Sequence, residues 1–158
     1  MLTSLLESWT SIYSNHAALR TAIEFAHVAG LVAGGGGAMA ADLATINAAR
    51  QPLAARRAEM RLLKRTHVVV LWGLLSVAVS GVLLFAADVD TYWHSRVFWL
   101  KMALVVALLA NGTWLMAGEK RIERGEADAW ARLHIAALCS VALWLLTTLA
   151  GSALPNIG

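Results

Sequence analysis

Residues 135–158, IAALCSVALWLLTTLAGSALPNIG, contain no charged side chain, and neither do residues 68–87, VVVLWGLLSVAVSGVLLFAA. A run of about 18 apolar residues or more is long enough to cross ~30 Å of hydrocarbon as a helix. Two further segments read the same way, so four transmembrane helices are expected, over about 25–46, 68–87, 98–118 and 135–154. The solvent for most of this chain is lipid. A spanning backbone must satisfy its own N–H and C=O groups, and a helix does so within one segment. The fold class expected is an all-α membrane protein.

Composition agrees. The chain is 59% hydrophobic with mean hydropathy +0.63, and 15% of its residues are charged, against about 25% in ordinary soluble domains. A net charge of +3 and a pI near 9.5 do not argue for nucleic acid, because the basic residues lie between apolar runs, where they set orientation and meet anionic lipid. Four spans in 158 residues leave a single integral membrane domain, 1–158. The lone Cys139 lies within the last run, which excludes a disulfide framework and suits a small packing residue. Residues 1–15 have no basic n-region, so no cleavable signal peptide is expected there. Leu2, Leu5, Leu6, Trp9 and Tyr13 fall at helical spacing instead. This predicts a short N-terminal helix at the interface, with Trp9 and Tyr13 at headgroup level.

The first span is the least hydrophobic. It holds His27, five glycines and Asp42, and its start could lie as early as Ala17. Gly30, Gly34 and Ala38 repeat every four residues, as do Ala33, Gly37 and Ala41. Such a stripe lets helix backbones approach closely in lipid, and it would equally admit the edge of a flat cofactor. Close helix packing is the preferred reading. No strand precedes Gly34–Gly37 and no GK[ST] follows, so a phosphate loop is excluded. In the third span, Lys101 is placed to snorkel to the near surface, and Asn111 to hydrogen-bond a neighbouring helix. Pro155 is expected to end the fourth span.

Loop charge sets the orientation. Arg50, Arg56, Arg57, Arg61, Lys64 and Arg65 lie between spans one and two, and Lys120, Arg121, Arg124 and Arg132 between spans three and four. The other side has only Arg20, Arg96 and Lys101. The positive-inside rule places these two loops in the cytoplasm and both termini outside. Tyr92, Trp93 and Trp99 then mark the outer boundary and Trp130 the inner one. Short connections imply an antiparallel, up-down-up-down bundle of four helices.

Histidines are the candidate cofactor ligands. His67 and His134 begin spans two and four at the inner edge; His27 and His94 stand at the outer starts of spans one and three. Spans one and three are diagonal in such a bundle, as are two and four, so one diagonal histidine pair falls at each face. Two imidazoles at one depth on diagonal helices are what a bis-histidine b-type haem requires. Gly30 and Gly34 share a face with His27. Arg65 and Arg132 flank the inner pair, while Lys101 and Arg96 lie near the outer one, placed to neutralise haem propionates. The competing reading is that these imidazoles are amphipathic helix ends with their tips in water. No span carries two histidines about four turns apart, the spacing by which one helix ligates two haems.

The runs FAHVAGLVAGGGGAMAADLATI, RTHVVVLWGLLSVAVSGVLLFAADV and RVFWLKMALVVALLANG resemble a group of small bacterial membrane proteins. These are distantly similar to four-helix b-type cytochromes and to the membrane proteins of copper resistance. His27, Asp42, His67, Gly81, Phe98, Lys101 and Asn111 carry the resemblance. It implies a four-helix fold and a haem-based electron-transfer role, with quinone and a redox partner protein as the exchange partners. Asp42 is a functional-site candidate by default, as an intramembrane carboxylate. A metal site of Asp42, His67 and His134 suits several divalent ions, but a helix-end cap or an ion pair with Arg65 is preferred. No nucleophile-elbow or H-E-x-x-H motif points to a hydrolase. A cofactor-free membrane subunit or small transporter remains the alternative, although no inverted repeat or broken helix is evident.

Overall fold

A computed structural model of the chain describes residues 2–48, 51–126 and 128–157, with the side chains of 2, 3, 53–65 and 157 left aside. Every element among them is helical: α1 (Leu2–Asn15), α2 (Ala17–Ala48), α3 (Leu53–Ala87), α4 (Val89–His94), α5 (Arg96–Glu123) and α6 (Ala129–Ile157). Four of these, α2, α3, α5 and α6, contain stretches long and apolar enough to cross a membrane. Most of each stretch is not buried by protein. Phe25, Val32, Trp72, Val82, Val106 and Leu149 stand exposed on the outer faces. A water-soluble domain would bury such continuous apolar surface; in lipid it is the expected exterior.

The helices overrun the hydrophobic runs. α2 begins at Ala17, α5 continues to Glu123, and α3 begins at Leu53, so the basic segment between the first two spans is largely helical rather than a loop. Pro155 lies inside α6 and does not stop it. Its ring crowds the carbonyl of the residue four before it, here Gly151, and so close to the helix end the chain completes its last turn.

Glycines fix which faces meet. A Cβ built on Gly30 would stand 2.8 Å from the Gly73 carbonyl oxygen, and one on Gly34 would stand 3.1 Å from the Gly73 carbonyl carbon. α2 and α3 therefore touch backbone to backbone, with Gly37 against Val70 and Thr66 further along. The remaining notches receive side chains: Gly35 of α2 takes the Trp144 ring of α6, and Gly118 of α5 takes Leu133 of α6. Asn111 donates to the Ala136 carbonyl at 3.0 Å, tying α5 to α6 as expected of a buried intramembrane amide. α2 thus packs against α3 and α6, and α5 against α6. Among the described residues, the α3 and α5 backbones do not approach each other.

Caps and aromatics close the other end. Asp88 accepts from the Thr91 N–H to start α4, and Ser95 accepts from the Phe98 N–H to start α5. Phe85 stacks on Phe98 with ring centres 5.2 Å apart, and Trp93 meets Trp99 edge-on at 5.1 Å. Trp9 donates Nε1–H to the Leu83 carbonyl, while the Thr10 hydroxyl donates to the Ala87 carbonyl. Both bonds dock α1 on the end of α3. Cys139 is exposed on α6 rather than packed inside, so its small size is not used in the core.

Candidate functional site

The polar groups inside the spanning helices fall into two clusters. The first surrounds His27 of α2. Its Nδ1 lies 3.0 Å from the Ser80 hydroxyl of α3, and Ser80 in turn donates to the Ser76 carbonyl. Ser76 donates to the Ala26 carbonyl at 2.9 Å, so the same α3 stripe bonds the α2 backbone beside the imidazole. Gly73, Ser76 and Ser80 stand three and four residues apart and share one face. That spacing made this partner face legible, although sequence reasoning had not singled out either serine. Gly81 lies against the ring as well: a Cβ there would meet His27 Cε1 at 3.4 Å. With Nδ1 committed to Ser80, the second ring nitrogen, Nε2, is the coordinating atom the imidazole keeps.

Lys101 of α5 joins this cluster. Its Cε and Nζ lie over Gly151 of α6, each 3.6 Å from where a Cβ would stand, and its ammonium is within electrostatic range of His27. The lysine is half-buried. Of the residues expected to act together at the outer face, Lys101 of α5 lies within electrostatic range of His27 of α2. His94 lies elsewhere. It ends α4, is exposed, and turns Nδ1 to the Asp90 carbonyl at 2.9 Å and to the Asp90 carboxylate at 3.5 Å. Arg96 is exposed too. Gly30 and Gly34 face the Gly73 backbone, which occupies the place a ring edge would need.

The second cluster lies at the end that carries the basic segments. His67 of α3 places Nε2 3.5 Å from Glu119 Oε1 of α5, spanning the side where those two helices do not pack. His134 of α6 has a buried Nδ1 with no hydrogen-bond partner. His67 and His134 therefore keep different surroundings. Arg132 is exposed, and the side chain of Arg65 lies outside the described residues. Asp42 is buried, with the Ser140 hydroxyl of α6 as a favourable polar neighbour and the Glu119 carboxylate within electrostatic range. Among the described residues no group of three or more His, Cys, Asp or Glu side chains gathers to hold a metal ion. The triad of Asp42, His67 and His134 does not form.

A haem can be tried against these donors. A histidine that ligates a metal has its other ring nitrogen held by a hydrogen bond, which fixes tautomer and ring orientation. His27 meets that condition through Ser80. A lysine ammonium beside it supplies the charge that a propionate requires. Compared with known protein families, curated proteins and solved structures, the chain finds no match.

Proposed function

We propose that the chain is a multi-pass protein of the bacterial inner membrane that carries one redox centre, a b-type haem, built around His27. The observation that supports this reading is the His27–Ser80 hydrogen bond inside the spanning region, with Lys101 of the diagonal helix beside it. In this reading His27 Nε2 would ligate the iron, Ser80 would hold the imidazole orientation, and Lys101 would pair with a propionate. When bound, the haem supplies one-electron chemistry, exchanging electrons with quinone in the bilayer and with a redox partner protein. An ionisable pair within the lipid-embedded region is kept for function by default, because its desolvation is costly.

The same reading takes α2, α3, α5 and α6 as an antiparallel up-down-up-down bundle with both termini outside. The count of basic residues in the two cytoplasmic segments motivates it. Arg57→Cys and Glu123→Cys, made one at a time, are expected to react in intact cells only with membrane-permeant maleimide. Labelling of either by an impermeant reagent overturns the orientation.

One observation favours a second reading, a cofactor-free membrane subunit or small transporter. Gly30 and Gly34 are consumed by helix packing, and the ring nitrogens of His67 and His94 lie against the carboxylates of Glu119 and Asp90. The visible spectrum of the detergent-purified protein, from cells supplied with a haem precursor, separates the two. A reducible Soret and α-band pair is expected; a colourless, folded protein selects the second reading.

A further inference from the structure

The hydrogen bond between His27 and Ser80 has a direction, and the acceptors around it set that direction. Ser80 Oγ of α3 lies within bonding distance of three groups: the Ser76 carbonyl one turn back, the Val77 carbonyl at 3.3 Å and His27 Nδ1 of α2 at 3.0 Å. A hydroxyl has one proton and two lone pairs. Carbonyl oxygens cannot donate. A Ser80 that turned its proton to the imidazole would hold its lone pairs against two oxygens in an apolar interior, where an unmade bond is costly. The proton therefore stays on the carbonyl side, the common back-bond of a helical serine. Towards His27, Ser80 can only accept. Nδ1 must carry the hydrogen, and in a neutral imidazole the lone pair then falls to Nε2.

The surroundings keep this arrangement in place. Ser80 is only 3% exposed, so water does not compete for its lone pairs. The Ser76 hydroxyl donates to the Ala26 carbonyl at 2.9 Å, which ties the α2 backbone to α3 beside the ring. Gly81 leaves room for the ring edge, since a Cβ there would stand 3.4 Å from His27 Cε1. We propose that Ser80 is a positioning residue that holds His27 as its Nδ1–H tautomer, the reverse of the form a free histidine prefers in water. Nε2 is then presented as an electron-pair donor, and its ligand is an electron-pair acceptor, a metal centre. That this metal is haem iron rests on the function proposed above; the tautomer does not.

Raman spectroscopy on the full-length protein in phosphatidylglycerol liposomes reads the tautomer, because the imidazole C=C stretch differs between the two neutral forms. If the protein is colourless, the His27 band, taken as wild type minus His27→Ala, should report Nδ1–H and move to the Nε2–H position in Ser80→Ala. If it is pigmented, iron itself fixes the tautomer, and the midpoint potential becomes the readout. A donated Nδ1–H makes Nε2 a stronger donor to the metal, so Ser80→Ala should raise the potential. Ser80→Ala removes one oxygen and adds no bulk, so the variant should still insert. Ser76→Ala is the control: it loosens the same seam without removing the acceptor of Nδ1, and should keep the wild-type band or potential. An Nε2–H ring in the colourless wild type, or no change in Ser80→Ala, would overturn the proposal. An equal change in Ser76→Ala would assign the effect to helix packing and overturn it too. A colourless protein with the Nδ1–H band sinks the haem reading alone.

Discussion

Two sides of this molecule are built in opposite ways. Along α2/α3 the chains meet at Gly30, Gly34 and Gly73 with no side chain between them. Along α3/α5 the described backbones do not approach, and side chains alone cross the space, His67 to Glu119 towards one end and Phe85 to Phe98 at the other. Lipid is as apolar as leucine, so helices there associate through close van der Waals contact and hydrogen bonds rather than through hydrophobic burial. The glycine seam supplies the first, and Ser76 and Ser80 supply the second in the same stripe. The seam does more than hold the helices together. It aims His27 at one hydroxyl.

The largest effect should come from breaking the seam. Gly34→Leu drives a branched side chain into the Gly73 backbone, which has no rotamer with which to yield. A loss of about 1–3 kcal/mol, near the top of that range, is expected for overpacking at such a site, seen as a lower unfolding midpoint in detergent. Gly36→Ala is the matched control. A Cβ at Gly36 meets nothing within 4 Å, so the variant should melt like the parent or slightly higher, by at most about 1 kcal/mol of helix propensity. Equal melting of Gly34→Leu and the parent would show that the seam does not bear on stability.

A smaller loss is expected at the other packed pair. Asn111→Ala removes the bond to the Ala136 carbonyl of α6. Interhelical hydrogen bonds in membranes contribute roughly 0.5–1.5 kcal/mol each, so this variant should fall between the two glycine variants. A drop as large as that of Gly34→Leu would mean that α5/α6, not α2/α3, is the dominant seam.

The smallest effect concerns the docking of α1. Burial and the Glu24 carboxylate that its hydroxyl contacts hold the Tyr13 phenol up at about 12, above its usual 10.0. A folded-state pKa above the unfolded value gives stability that is present below pH ~10 and lost as pH rises through ~12. Docking of α1, followed by Trp9 fluorescence, should therefore weaken over that window, and Tyr13→Phe should remove that part of the dependence. An identical profile for Tyr13→Phe would assign the change to another group.

These regions also differ in how far the sequence discloses them. The uncharged runs 68–87 and 135–154 were legible as spans because desolvation of a charge in lipid dominates every other term. Helix ends were less so. Hydropathy reports the lipid-embedded length, whereas α3 and α5 continue into polar sequence where backbone hydrogen bonding alone sustains them. α4 was missed, although Asp88 and Ser95 are the kind of residue that starts a helix. At the site, the order of the helices does not disclose which faces turn toward one another. Lys101 comes within electrostatic range of His27, while His94 ends on a short helix that hydropathy does not reveal. The Gly30–Gly34 stripe carried two readings, helix packing or cofactor edge, and the matching gap at Gly73 decides for packing.

The account turns on His27 as the functional imidazole presented by that seam. Haem content per polypeptide, measured on wild type, His27→Ala and His94→Ala purified in parallel, addresses it most directly. The wild type and His94→Ala should carry the same stoichiometric haem, and His27→Ala should lose it while still inserting into the membrane. Full pigment in His27→Ala, or none in the wild type, would contradict the account.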